Sequence, residues 1–255
     1  MNWILHRLGS RLRFAVRNPA YTARALAREF SRADERALAR FTSVPASTIR
    51  SFLDEPLQDS AFASRLRAAE AEFVTAEIES ASLYAKKVLI QYAAVRAFAP
   101  DVVVETGVAS GVSTSYLLYA LHRNQRGTLY SIELGDPRYL PKGKPPGWIV
   151  PSWLRSRWNL RLGDSRKLLP ELLSHLGKMD VFIHDSLHSY EHMLWEYRAA
   201  YPHLRPGGLL LSDDADWNTA FREFAVEAHA TNAPVLRGVG LLQKENREDA
   251  GVHSA

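Results

Sequence analysis

From about residue 84 onward, short apolar runs alternate with longer stretches whose apolar residues recur at helical spacing. Residues 84–98 read as a helix that stops before Pro100. Val102, Val103 and Val104 then run without a break into Glu105, as a strand buried on both faces of a parallel sheet does. Residues 113–122 return to a helix, and residues 128–133 to a strand closed by Gly135 and Pro137. The alternation continues with strands over 159–163, 181–184 and 209–212, the last introduced by Pro206, Gly207 and Gly208. Between and after them, residues 166–176, 190–203 and 219–230 carry helical periodicity. Residues 235–243, interrupted by Gly238 and Gly240, read as a terminal hairpin-like pair. Strand and helix in this order predict an α/β fold with a doubly wound, mostly parallel sheet.

The chain before residue 80 has a different texture. Residues 31–80 are Ala-rich and mixed in charge, and predict a helical extension or cap with breaks near Pro45 and Pro56. A boundary near residue 80 divides the chain into an extension, 1–80, and a main domain, 81–255. Residues 1–30 interleave Arg7, Arg11, Arg13, Arg17, Arg24 and Arg28, opposed by Glu29 alone, with Trp3, Ile4, Leu5, Leu8, Leu12, Phe14 and Val16. This is a basic amphipathic arm, cut in two by Pro19. It has two readings: a contact with an acidic partner or, peripherally, with a membrane surface at the inner face, or packing on its own domain or on a second subunit in a homodimer.

Charge and composition narrow the picture. The net charge of +4 is concentrated in the arm, so the main domain does not read as a nucleic-acid binder. The absence of cysteine excludes disulfides, thiolate zinc sites and cysteine nucleophiles, and fits a reducing cytoplasm. No apolar run approaches the roughly 18 residues of a membrane span, and the arginine-rich start lacks the apolar core of a secretory signal. Residues 136–158 hold five prolines and Trp148, Trp153 and Trp158 in no clear period, and read as an ordered loop over a site.

In a sheet of this kind the ligand lies outside the carboxyl ends of the strands. Each of the five main strands ends in an acid: Glu105, Glu133, Asp164, Asp185, and Asp213 with Asp214. After the first strand, Gly107, Ala109 and Gly111 are spaced by two and are preceded by Glu105. A dinucleotide would want G-x-G-x-x-G and no acid beside its pyrophosphate. The present spacing suits a cationic cofactor without phosphates, such as S-adenosylmethionine, whose amino acid end is attracted to a carboxylate. Glu133 is then placed for the two ribose hydroxyls, Asp164 with Ser165 for the adenine edge, and Ser113 with Thr114 at a helix N-terminus for the cofactor's carboxylate.

With these residues in view, the chain resembles the class I S-adenosylmethionine-dependent methyltransferases over roughly residues 84–243, with a Rossmann-like sheet. Glu105-Thr-Gly107-Val-Ala109-Ser-Gly111 is similar to that family's acid-x-Gly-x-Gly-x-Gly loop, with Ala109 where the family prefers glycine. The stretch from Phe182 to Glu191 and that from Leu210 to Asp214 resemble a subgroup of small-molecule and sugar O-methyltransferases, the macrocin O-methyltransferase-like and cephalosporin hydroxylase-like proteins. The resemblance implies Mg²⁺ held by Asp185, Asp213 and Asp214, with Asp185 also bordering the cofactor. It departs at Leu187, where many members carry a second acid.

The residues support the metal independently. Three converging carboxylates repel one another, and a hard divalent cation relieves this while leaving room for substrate oxygens. His188 is the candidate general base, since histidine titrates near neutrality. His184 is expected to face a neighbouring layer, His192 lies one turn past His188, and Tyr190 and Trp217 could line an acceptor pocket. The expected activity is O-methylation of a hydroxyl on a small molecule or glycan, such as an antibiotic, glycolipid or polysaccharide precursor. The competing readings are a non-catalytic cofactor-binding protein acting through its arm, and a nicotinamide-dependent oxidoreductase, for whose phosphates the Gly107–Gly111 loop offers little room.

Overall fold

The structure is a computed structural model that describes residues 32–75 and 86–245. The basic arm, the boundary near residue 80 and the start of the helix expected from residue 84 lie outside the described residues. Three helices come first: α1 (Arg32–Thr42), α2 (Ala46–Gln58) and α3 (Ser60–Thr75). Then follow α4 (Lys86–Phe98), β1 (Val102–Thr106), α5 (Val112–Asn124), β2 (Thr128–Glu133) and β3 (Trp158–Leu162). The remainder is α6 (Ser165–Leu176), β4 (Met179–His184), α7 (Tyr190–Ala200), β5 (Leu204–Ser212), α8 (Ala220–Glu227), β6 (Val235–Leu236) and β7 (Val239–Gln243).

The seven strands form one sheet in the order β3-β2-β1-β4-β5-β7-β6. The first five are parallel, and β7 runs antiparallel to both β5 and β6. The order reverses between β1 and β4, the switch point at which a doubly wound sheet opens its crevice. Strand alternation sorts the core into two layers. Val103, Val181, Ile183, Leu209, Leu211 and Leu241 face the α4 and α5 side, whereas Val104, Phe182, Leu210 and Leu242 face α6, α7 and α8.

Helices α1 to α3 join the first of these layers. Leu38, Ile49, Leu53, Phe62 and Leu66 share one cluster with Tyr92 of α4 and with Tyr116 and Tyr119 of α5. Phe62 stacks on Tyr119 with ring centroids 4.4 Å apart and meets Tyr116 edge-on at 5.1 Å. Glu55 on α2 accepts a forked pair from Arg96 on α4, at 2.7 and 2.9 Å, and a hydrogen bond from Tyr92. Burial works against the Glu55 charge, but these donors more than offset it and hold its carboxyl below the ordinary value.

Some expectations from the sequence shift. Pro45 does precede a helix, but Pro56 sits inside α2, buried near its C-terminal end, and does not end it. The helix expected over 190–203 stops at Ala200 and tightens into a 3₁₀ turn around Pro202. Strand β5 begins at Leu204 and passes through Pro206, with a register shift against β4 between Met179 and Val181. Among the described residues no helix is long and apolar enough to cross a membrane.

Candidate functional site

The loop from Gly107 to Gly111 leaves β1 and turns into α5. Gly107 has φ +86°, and a Cβ there would lie 1.9 Å from the carbonyl oxygen of Asp185. The β1 and β4 loops therefore touch through backbone, an approach only glycine permits. Gly111, at φ +90°, caps α5, and its missing Cβ leaves room for Gly147, whose Cα would be 2.8 Å away. Ala109 also has positive φ, at +45°. Its strain is held by two hydrogen bonds: its N–H donates to Glu133 Oε2 at 2.8 Å, and its carbonyl accepts from Gly147 N at 2.8 Å. The expected loop of 136–158 thus packs directly on the Gly107–Gly111 turn, with Trp148, Ile149, Val150 and Leu154 buried.

The acids divide by environment. Glu105 is fully buried and takes hydroxyl hydrogen bonds from Ser131 at 2.7 Å, Thr114 at 2.9 Å and Ser113 at 3.3 Å. Burial pushes its carboxyl up to about 7 despite these donors. Ser113 and Thr114, expected at the cofactor's carboxylate, direct their hydroxyls to Glu105, and Ser113 also reaches Asp185. Glu133 accepts the Val108 N–H at 2.6 Å and the Gly135 N–H at 2.7 Å besides that of Ala109, so it grips the loop from the next strand. Asp164 is exposed and caps α6 through Arg166 N at 2.9 Å, and Ser165 Oγ lies 3.2 Å from His192 Nε2.

On the other side of the switch point, Asp185, His188 and Asp213 each bring one ligand atom within 4.8 Å of the others. Asp213 Oδ1 and His188 Nε2 are buried and have no hydrogen-bond partner among the described residues. Asp214 stands beside this group rather than in it, with Oδ2 3.5 Å from His188 Nδ1 and Oδ1 3.4 Å from Lys87 Nζ. Burial and the neighbouring Asp213 charge raise the Asp185 carboxyl well above its ordinary value. Burial and the nearby His184 ring lower His188, outweighing the pull of Asp214 and Asp213, and favour its neutral form.

Two residues at the site have no counterpart in the sequence reading. Lys87 of α4 places Nζ 2.5 Å from Asp213 Oδ2, and although burial disfavours its charge, the three aspartates hold it above the ordinary lysine value. Glu196 of α7 is fully buried beneath the loops and bonded to His184 Nδ1 at 2.7 Å and His192 Nε2 at 2.9 Å. Burial would raise its carboxyl, yet the hydrogen bonds from His184 and His192 hold it far below the usual range. A spacing signal for Glu196 was present, because it falls one turn after His192 on one helix face. Tyr190 and Trp217 are exposed, Trp217 at 74%, and Asn218 Nδ2 donates to the His188 carbonyl at 3.1 Å, tying the β4 and β5 loops.

Comparison with known proteins agrees with this arrangement. Residues 104–215 match a protein family described as a methyltransferase domain. Demethylmacrocin O-methyltransferase of Streptomyces fradiae is 28% identical over 124 residues, which are 48% of this chain and 28% of that protein. The chain thus spans little more than a quarter of the curated relative it matches. An O-methyltransferase from Bacillus cereus, solved in complex with SAH, superposes with a TM-score of 0.53 at 16% identity, over 76% of this chain and 98% of that one. An SAH-bound methyltransferase of Podospora anserina gives a TM-score of 0.54 at 14% identity, over 79% and 95%. By its matched domain, its sheet order and its glycine-turned loop after β1, the chain is similar to S-adenosylmethionine-dependent methyltransferases over residues 104–215.

Proposed function

We propose that the protein moves the methyl group of S-adenosylmethionine to a hydroxyl of a small molecule or sugar, with a divalent metal holding the acceptor. The observation that carries this reading is the pairing of two half-sites at one switch point. The cofactor-type loop at Gly107 touches, through the Asp185 carbonyl, a side-chain cluster that holds two buried acceptors without a hydrogen bond among the described residues, Asp213 Oδ1 and His188 Nε2.

S-adenosylmethionine, when bound, supplies an electrophilic methyl on a cationic sulfur. The residues present suit it: a close-approach turn, the buried acid Glu105 behind it, and Glu133 at the loop, whose carboxylate keeps lone pairs beyond the three amides it accepts. Asp164 and Ser165 lie at the end of β3, where the adenine would lie. Mg²⁺, when bound, supplies a Lewis acid that acidifies a coordinated hydroxyl. Asp185 and Asp213 are the carboxylates that would hold it, with Asp214 beside them rather than among the converging groups. The raised Asp185 carboxyl fits a site that lacks enough positive charge.

His188 takes the acceptor's proton at Nε2. Asp214, 3.5 Å from Nδ1, favours the tautomer with the proton on Nδ1, so Nε2 stays free to accept. Lys87 neutralises part of the Asp213 and Asp214 charge. Proximity and alignment of oxygen, methyl and sulfur supply much of the rate in such a transfer. The homology to demethylmacrocin O-methyltransferase supports a sugar or small-molecule hydroxyl as acceptor.

Isothermal titration of the full chain with S-adenosylhomocysteine should show one binding site. No heat at millimolar ligand would remove the methyltransferase reading. Turnover on a panel of catechols and sugar diols should be abolished by a chelator and restored by Mg²⁺. Undiminished turnover in chelator would show that the aspartates serve another purpose.

A further inference from the structure

Glu196 is the point at which the two half-sites are pinned to each other. Its Oε2 accepts Thr106 Oγ1 at 2.5 Å and His184 Nδ1 at 2.7 Å, and its Oε1 accepts Ser186 Oγ at 3.0 Å and His192 Nε2 at 2.9 Å. Thr106 lies between Glu105 and Gly107 at the end of β1. His184 and Ser186 flank Asp185 at the end of β4. His192 Nε2 in turn meets Ser165 Oγ at 3.2 Å, beside Asp164 after β3. One carboxylate, with no exposed surface, therefore touches side chains from the cofactor loop and the acceptor loop directly, and from the adenine-side loop through one histidine.

A buried charge is costly unless every oxygen is paired, and an apolar residue of similar size would fill the same space at no electrostatic cost. A purely stabilising role would leave the donors free to come from anywhere in the core. Instead three of the four are immediate chain neighbours of proposed site residues. The two loops are also in backbone contact, since Asp185 N donates to the Thr106 carbonyl at 2.8 Å. A shift of one loop is transmitted to the other through both links.

We infer that Glu196 is a positioning residue that couples cofactor binding at the β1 loop to metal binding at Asp185 and Asp213. The inference rests on the methyltransferase reading above. It assigns to Glu196 no contact with cofactor, metal or acceptor. Its effect is energetic: ordering the Thr106–Gly107 segment around the cofactor fixes Ser186 and His184, and with them the carboxylate of Asp185.

The test is a binding cycle on the full chain, with S-adenosylhomocysteine followed by calorimetry and Mn²⁺ by electron paramagnetic resonance as the metal probe. In the unmodified protein, saturating S-adenosylhomocysteine should tighten Mn²⁺ by about 5-fold or more, the lower end of ordinary allosteric coupling. In Glu196→Gln, each ligand should still bind alone, and the ratio should fall to about 1. Thr106→Val and Ser186→Ala remove one link each, should fold even if Glu196→Gln does not, and should each lose part of the coupling. Coupling retained in Glu196→Gln, or in both single-link variants, overturns the inference, as does a wild-type protein that binds both ligands without coupling. A wild-type protein that binds neither overturns the methyltransferase reading itself, and this outcome is distinct from the others.

Discussion

A carboxylic acid sealed from water carries its proton to higher pH than it would in an unfolded chain, and Glu105 is such an acid. Its native value is about 7, against roughly 4.3 for an exposed glutamate. Between those values the folded protein holds a proton that the unfolded chain releases. Stability from this group is therefore full below the unfolded value and is lost as pH rises through the folded one, by about 3 kcal/mol in all. Glu105→Gln removes the titration but keeps the shape, so its stability relative to wild type should improve by about 3 kcal/mol between about pH 5 and about pH 8. Urea unfolding at the two pH values measures this, and parallel curves for the two proteins would refute it. Gly107 offers a second check. Gly107→Ala must push Asp185 away and adopt a left-handed backbone, whereas Gly143→Ala, at φ +78° with nothing near its Cβ, meets only the backbone penalty. The first should abolish S-adenosylhomocysteine binding and lower stability by several kcal/mol, and the second should cost about 1 kcal/mol and leave binding intact. Equal effects in calorimetry would mean that the Gly107 contact is not limiting. At this scale the sequence showed which residues gather, because strand ends are legible from apolar runs. It did not show the partner each acid chooses. Glu105 binds hydroxyls of Ser113 and Thr114, and Lys87 arrives from a helix 18 positions upstream with no local pattern to announce it.

The elements were legible where their apolar pattern had a single explanation. β1 and β4 carry continuous apolar runs, Val102–Val104 and Val181–Ile183, β2 is mixed but ends buried, and each was anticipated to within two residues. Pro56 was misleading because burial in the core holds it inside α2 despite its missing N–H, and Asp59 N still closes the last turn on the Glu55 carbonyl at 3.1 Å. Composition alone read 136–158 as an ordered loop over a site, and the fold shows that it packs on the β1 loop, with Gly147 N donating to the Ala109 carbonyl. Asp164 illustrates how one side chain can serve an element and a site. Its carboxylate caps α6 through Arg166 N. Asp164→Ala should cost about 1 kcal/mol of stability, as lost N-caps do, and Asp164→Ser should recover most of it. If Asp164 also meets the adenine, Asp164→Ser will bind S-adenosylhomocysteine as weakly as Asp164→Ala while melting like wild type. Full affinity in both variants would leave Asp164 as a cap alone.

At the scale of the whole molecule, the leading helices share a hydrophobic cluster with the sheet. The sequence placed a boundary near residue 80 because texture changes there, from polar Ala-rich helix to alternating strand and helix. Texture reports local composition, whereas a domain is defined by what buries its apolar faces. Leu38, Ile49, Leu53, Phe62 and Leu66 enter the same cluster as Val103, Val181 and Leu209 of the sheet, through the rings of α4 and α5. Arg96 adds to this by holding Glu55 and covering the Phe52 ring at 4.4 Å. Without α1 to α3, the outer faces of α4 and α5, including Tyr92, Tyr116 and Tyr119, would lie open to water. Phe62→Ala should therefore destabilise the entire chain by about 3–5 kcal/mol, the range for a fully buried aromatic. Unfolding should remain one transition, coincident by tryptophan fluorescence, which samples Trp153 beside Tyr119 as well as the sheet, and by far-ultraviolet circular dichroism. A chain shortened to residues 76–255 should fail to fold cooperatively. Two separated transitions, or a shortened chain that melts sharply and binds S-adenosylhomocysteine, would establish instead that the helices are an appendage and that the residue-80 boundary is a true domain limit.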